Sequence, residues 1–399
     1  FEMFLLCLLV LCGTALAHPK DPEVNMTIPQ IIQRWGYPAE MHEVTTKDDY
    51  ILQMHRIPAG KGQTPTAGRP VAFLQHGLEG TSSNWVTNLP EFSLGYLLAD
   101  AGFDVWLGNS RGNCYGIGST KIDTKSHEYW KFTWDEMVKY DLDASIDYVL
   151  QQTNQKSVYY VGHSQGTLIM FSKLADDSKF APKIKQFHAL APVGTVQNVT
   201  GFLRFIADHL YFETEVMLDI FGRNQFLPES GLVHYFAEKY CDDVFIDDAC
   251  DDVLWALGGP NSHQMNATRN DVFLVDMPGG TSSMNMIHWA QMVRSGKQQM
   301  YNYPLDAENE LHYGPGHKQA PIYDITKIKT NMWLYWSPSD WLADEQDVTS
   351  HLLRYLPPAY LKSVSQLSDF NHFDFIWGQR AAAEIYTPLI AAMKADLRH

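Results

Sequence analysis

Short apolar runs recur along the chain with helical stretches between them: VAFLQ (Val71 to Gln75), FDVWL (Phe103 to Leu107), SVYYV (Ser157 to Val161) and the run from Phe187 to Leu190. Runs this short, rich in Val, Phe and Tyr, read as strands. Their alternation with helices predicts a mostly parallel α/β sheet. The clearest intervening helix runs from Thr133 to about Gln152. Thr133 and Glu136 form a capping box, and Val138, Leu142, Ile146, Val149 and Leu150 keep helical spacing on one face. Upstream, Thr27 to Gly36 reads as a short helix with Pro in its first turn and Gly just past its end. MHEVTT and YILQMHRI flank Lys47-Asp48-Asp49 as a hairpin.

The pattern changes at Gly194. From there to about Tyr323 the strand-like runs give way to helical, aromatic-rich stretches, and a sheet-like run resumes only at NMWLYW, Asn331 to Trp336. The expected organisation is an α/β core over 18–193 and 324–399, with a helical cap inserted over 194–323. The first residues, FEMFLLCLLVLCGTALA, form an apolar run ending in small residues, which reads as a signal peptide over 1–17 although no Lys or Arg precedes it. It is short for a membrane span, and no second long apolar run follows.

Composition narrows the picture further. A net charge of −16 without clustered Lys and Arg argues against nucleic acid or anionic membrane surfaces as partners. Of the 5 cysteines, Cys7 and Cys12 leave with the signal, and Cys114, Cys241 and Cys250 remain. An odd count on a secretory route suggests one pair and one leftover thiol. Asn25, Asn198 and Asn266 each open an Asn-x-Thr sequon, which suits a glycosylating compartment. No metal-binding motif and no phosphate-cradling glycine loop is present in the sequence, so neither a metal nor a cofactor is expected.

The chemistry centres on Gly162-His163-Ser164-Gln165-Gly166, which follows one predicted strand and opens a helix. A sharp strand-to-helix turn of this kind lifts a serine hydroxyl out of a sheet, and flanking glycines give it room. A serine nucleophile needs a base, an acid to orient that base, and oxyanion donors. In hydrolases of this strand-turn-helix type the order is Ser, Asp or Glu, then His, each just past a core strand. Asp340 follows NMWLYW, and His372 follows YLKSVSQL. Asp344 and Asp347 lie farther from the strand end, where the pattern turns helical. The oxyanion donors are expected to be the backbone N–H groups of Gln165 and of Leu78, in the loop after VAFLQ.

With these residues in place the chain resembles the acid lipase family. The likeness runs through RWGYPAEMHEVTTKDDYILQMHRIP, LQHGLEGTSSNW, DVWLGNSRGN, WDEMVKYDLDASIDYVL, VGHSQGT, PGGTSSMNMIHWAQMVRSGK, SDWLADEQDV and NHFDFIWG. The resemblance implies an α/β-hydrolase core with a helical cap and lid, and hydrolysis of triacylglycerols or cholesteryl esters at a lipid–water interface, usually at acidic pH, in a secreted or lysosomal enzyme. It assigns Ser164 as nucleophile, Asp340 as acid, His372 as base, Leu78 and Gln165 as oxyanion donors, and a disulfide to Cys241 and Cys250. Two other readings stand beside it: a catalytically silent lipid-binding protein on the same fold, and a soluble carboxylesterase. Three positions depart from the family pattern. Glu79 stands where the family has an apolar residue, Cys114 where Thr is common, and Asp49 where a turn carries Gly.

Overall fold

The computed structural model describes residues 21–201, 204, 208, 224–226 and 257–398. The signal-like stretch and the two cysteines Cys241 and Cys250 lie outside the described residues. Eight strands form the main sheet: β1 (Glu40–Thr45), β2 (Ile51–Ile57), β3 (Val71–Gln75), β4 (Asp104–Gly108), β5 (Val158–His163), β6 (Ile184–Leu190), β9 (Met332–Trp336) and β10 (Leu361–Gln366). Their order is β1-β2-β4-β3-β5-β6-β9-β10. From β4 to β10 every neighbouring pair is parallel, while β2 runs antiparallel to both β1 and β4. A short antiparallel pair, β7 (Gln225–Phe226) with β8 (Thr281–Ser282), lies outside this sheet.

Burial explains which runs stood out in the sequence. Every residue of β3, β4 and β5 is buried, as strands covered by helices on both faces require. The edge strands β1 and β10 alternate between half-buried and exposed positions. Phe73, Tyr160 and Phe187, on β3, β5 and β6, pack ring against ring through the middle of the sheet. The expected capping box forms as written: the Thr133 N–H donates to Glu136 Oε2 at 2.7 Å, and Thr133 Oγ1 accepts the Asp135 N–H at 3.0 Å. The hairpin turn closes at Asp49, whose φ of 73° is a conformation Asp tolerates better than most residues.

The segment between β6 and β9 is fastened to the sheet side of the molecule at several points. The Asp135 carboxyl group accepts the Tyr301 N–H at 2.7 Å and the Tyr323 hydroxyl at 2.8 Å. Gln298 Nε2 donates to Ser172 Oγ at 2.9 Å. The helix Ser283–Ser295 stacks His288 on Trp134, ring centroids 4.4 Å apart and ring planes nearly parallel. Among the described residues no helix is long and apolar enough to cross a membrane.

Candidate active site

Strand β5 runs two residues farther than its apolar pattern, because Gly162 pairs with Ala189 and His163 with Leu190. The chain then reverses at Ser164, with φ 53° and ψ −121°, and enters the helix Gln165–Asp176. A positive φ at a residue with a side chain is strained, and it persists only where the surroundings hold it. They do so here: the Ser164 N–H donates to the Leu190 carbonyl at 3.1 Å, and the Ser164 carbonyl accepts the Thr167 hydroxyl at 2.6 Å. Both flanking glycines are needed. A Cβ on Gly162 would lie 2.7 Å from the Gly166 carbonyl oxygen, and one on Gly166 only 2.4 Å from that of Gln75.

Asp340 and His372 meet from separate loops. Asp340 follows β9, and His372 lies in the loop after β10. His372 Nδ1 lies 3.0 and 2.9 Å from the two Asp340 oxygens, and both side chains are buried. Asp340 Oδ1 also accepts the N–H groups of Leu342 and Ala343, each at 2.9 Å, so the carboxylate is fixed before it reaches the ring. The other two acids of this stretch are engaged elsewhere. Asp344 caps the next turn through the Gln346 N–H at 2.7 Å, and Asp347 binds Thr195 and Asn198.

His163 connects this pair to the serine turn. Its Nε2 lies 2.9 Å from the His372 carbonyl oxygen, and the two rings sit 4.7 Å apart. Burial holds His163 well below the usual histidine pKa, with the neighbouring His372 acting the same way, so it donates as a neutral ring. Among the described residues no hydrogen bond joins the Ser164 hydroxyl to His372. Gly77, in the turn after β3, lies directly over Ser164, and a Cβ there would be 2.8 Å from Ser164 Cβ and 3.3 Å from its Oγ.

No hydrogen bond from the backbone N–H of Leu78 or Gln165 to a protein acceptor is found among the described residues. The sequence did not reveal what holds them. Gln165 Oε1 accepts Asn285 Nδ2 at 3.0 Å and Trp289 Nε1 at 2.7 Å, both from the helix Ser283–Ser295. Residues within 194–323 thus hold the side chain of Gln165. The His372 N–H likewise donates to the Gly258 carbonyl, at 3.0 Å.

The sequons are placed differently from one another. Asn25 is exposed. Asn266 is half-buried and its carbonyl oxygen accepts the Thr268 hydroxyl of its own sequon at 2.8 Å. Asn198 is also half-buried and its side-chain amide donates to Asp347 at 3.2 Å.

This strand order, with a strained serine after β5 and a buried Asp–His pair at the ends of β9 and β10, defines an α/β-hydrolase. Residues 70–379 match the family described as alpha/beta hydrolase fold, and residues 28–89 match the partial alpha/beta-hydrolase lipase region. The chain is 46% identical to the lipase lipl-1 of Caenorhabditis elegans, over 98% of this chain and 97% of that one. It is 42% identical to the gastric triacylglycerol lipase of Homo sapiens, over 95% and 94%. A solved structure of a putative lipase from Sulfolobus solfataricus superposes with a TM-score of 0.55 at 13% identity, covering 90% of this chain and 95% of that one, a likeness of fold. The chain belongs to the acid lipase family and is a lipase, a carboxylic ester hydrolase.

Proposed function

We propose that this lipase hydrolyses neutral-lipid esters, triacylglycerols or cholesteryl esters, at a lipid–water interface through an acyl-enzyme on Ser164. The observation that carries the reading is the buried Asp340–His372 pair beside the strained Ser164 turn. Relatives named gastric triacylglycerol lipases support the substrate class. As ester docks, the Ser164 hydroxyl gives its proton to His372 Nε2 while Oγ bonds to the carbonyl carbon. Such contacts commonly tighten only around substrate. The N–H groups of Leu78 and Gln165 receive the oxyanion. Asp340 holds the Nδ1–H of His372 and favours the imidazolium. Collapse breaks the bond to the alcohol, which leaves with the proton from His372. Water then attacks the acyl carbon, its proton passes to His372, and fatty acid departs as Ser164 regains its hydrogen.

The same reading divides the chain into a signal peptide (1–17), a hydrolase core (18–193 and 324–399) and a cap (194–323). It routes the protein through the secretory pathway to the cell exterior or the lysosome, with glycans on Asn25, Asn198 and Asn266 and a Cys241–Cys250 disulfide. The test is labelling by an active-site phosphonate, together with rates on triolein, cholesteryl oleate and a short soluble ester from pH 4 to 8. Label on Ser164 and turnover of the long-chain esters are expected. No label, or turnover of the short ester alone, sinks the lipase mechanism proposed here.

A further inference from the structure

Gly77 to Gly80 form a turn closed by the Gly80 N–H on the Gly77 carbonyl, 3.1 Å away, with Leu78 and Glu79 at its centre. Glu79 has φ 56°, where Gly or Asn would be the comfortable choice. Its carboxyl is enclosed as well, and Oε1 is buried with no hydrogen-bond partner among the described residues. Backbone strain and an enclosed carboxyl at one residue are two separate costs, and residues that carry such costs cluster where function requires them.

What Glu79 touches shows the use. Its carbonyl accepts the Gly279 N–H at 2.7 Å, and its Oε2 accepts the next N–H, that of Gly280, at 2.9 Å. Two consecutive donors of the inserted segment thus grip the residue immediately after Leu78. Glycines are required on that side too. A Cβ on Gly279 would lie 2.4 Å from the Thr81 methyl, and one on Gly280 2.9 Å from the Gly112 carbonyl. The Cys114 N–H donates to the Gly279 carbonyl at 2.8 Å, so the gripping loop is itself anchored to the loop after β4.

We propose that Glu79 is a positioning residue: by holding the turn 77–80 against Gly279 and Gly280, it fixes the Leu78 N–H that receives the oxyanion. This deepens the serine-lipase reading and rests on it. The protonation state follows from the same enclosure. Burial pushes the Glu79 carboxyl up to about 8, with the Gly280 N–H opposing, so it is neutral in acid and near-neutral solution. The ionisable groups on the adjoining elements are His55, His76, Arg111, Asp276 and the thiol of Cys114, whose backbone N–H is on Gly279. His76 contacts the Gly77 carbonyl and the Ser110 N–H, and His55 contacts Ser82. Arg111 is paired with Asp48 and Asp141, and Asp276 accepts the Tyr115 hydroxyl. Loss of the Glu79 proton therefore places a negative charge one residue from the oxyanion donor, where it opposes the charge that develops in the transition state.

The experiment compares wild type, Glu79→Gln and Glu79→Leu as full-length secreted enzyme on a short soluble ester from pH 4 to 9, with Ser164→Ala alongside. Glu79→Gln keeps an acceptor for Gly280 without an ionisable proton. It is expected to hold wild-type kcat at pH 5 to 6 and to lose less than wild type above pH 8. Glu79→Leu, folded by circular dichroism, is expected to lose about tenfold or more in kcat with KM within twofold, the signature of a lost transition-state interaction. Wild-type kcat in folded Glu79→Leu, or identical alkaline limbs for wild type and Glu79→Gln, overturns the proposal. Should Glu79→Leu fail to fold, the alkaline limb of Glu79→Gln decides alone. Activity in Ser164→Ala would instead strike the serine mechanism, whereas an inactive Ser164→Ala beside unchanged Glu79 variants would remove only the role given to Glu79.

Discussion

Trp289 donates its indole N–H to Gln165 Oε1 at 2.7 Å, across 124 residues of sequence, so the residue that follows Ser164 is held from the helix Ser283–Ser295. Asn285 adds a second donor to the same oxygen. Gln165 begins a helix, and its N–H direction depends on how that first turn sits. A side chain clamped on one side and packed against Met137 Sδ on the other leaves the turn little freedom.

Trp289→Phe keeps the aromatic packing and removes the donor. It is expected to lower kcat on a short soluble ester by about tenfold, less than the ~100-fold or more that losing an oxyanion donor outright costs, because the N–H remains but is less well aimed. KM should change little. Steady-state kinetics on the purified variant, with thermal unfolding to show that it is folded, checks this; an unchanged kcat would remove Trp289 from the placement of Gln165.

The three neighbouring acids Asp340, Asp344 and Asp347 are expected to separate cleanly. Asp340→Asn should lose on the order of 10³ to 10⁴ in kcat, since His372 then lacks the partner that sets its tautomer. Asp344→Asn should stay near wild type in activity, because Asn also caps a turn well. Asp347→Asn should cost stability and spare kcat: its carboxylate accepts from the Thr195 hydroxyl and from the backbone of Gln197 and Asn198. About 1 to 3 kcal/mol is a reasonable scale for that loss. Denaturant unfolding and kinetics on the three variants distinguish these outcomes.

The strands of the sheet centre were legible because burial on both faces writes them as uninterrupted apolar runs. Where a strand ends was less legible. The pattern of β5 stops at Val161, yet the strand continues through Gly162 and His163, since pairing with β6 is a backbone property and does not need apolar side chains. That Asp340 meets His372 was readable from position, each lying just past a strand. The grip on Glu79 was not, because its donors are the backbone N–H groups of Gly279 and Gly280, which leave no mark in a sequence beyond two glycines. The clamp on Gln165 was hidden for another reason. Asn285 and Trp289 read as ordinary members of a helix until the fold carries that helix over the serine turn.

Stability is expected to peak near pH 6.5 and fall on both sides. Desolvation pushes the Asp135 carboxyl up to about 8, with the adjacent Glu136 adding to it, so the folded chain holds this proton more tightly than the unfolded one. Its contribution is complete below the unfolded value near 4 and is lost as pH rises through 8, at up to about 1.4 kcal/mol per pH unit. Glu79 acts in the same direction. On the acid side, burial lowers His55 and His76 to about 4 and His188 and His288 to about 3. Those rings bind protons only on unfolding, so stability falls as pH drops from about 6.5 toward 4. Asp135→Asn should make the alkaline fall shallower, with Glu79 still contributing, and the acid-side rise steeper, because the Asp135 slope runs from about pH 4 to 8 and opposes the histidines below 6.5. Unfolding free energies from pH 4 to 8.5 check this; an unchanged alkaline slope would mean that Asp135 does not carry it.

Gly77 is the position where the smallest change should silence the enzyme. It follows His76, whose ring accepts the Ser110 N–H at 3.0 Å and contacts the Gly77 carbonyl, so the backbone on this side is held by the loop after β4. On the other side stands Ser164, held in its strained conformation by Leu190, Thr167 and the helix it opens. A methyl on Gly77 would lie 2.8 Å from Ser164 Cβ, closer than real carbon contacts allow, and 3.2 Å from His163 Nδ1. Neither wall can retreat without moving the nucleophile or the turn that carries Leu78. A displacement of about 1 Å between reacting groups can cost on the order of 100-fold in rate. Gly77→Ala is therefore expected to lose at least that much in kcat, and to slow phosphonate labelling of Ser164 by a similar factor. Because the clash is confined to one turn, the melting temperature should drop by only a few degrees, as about 1 kcal/mol would produce in a chain of this size. Labelling at the wild-type rate would show that the turn yields around the methyl, and that Gly77 is not what keeps the space above Ser164 open.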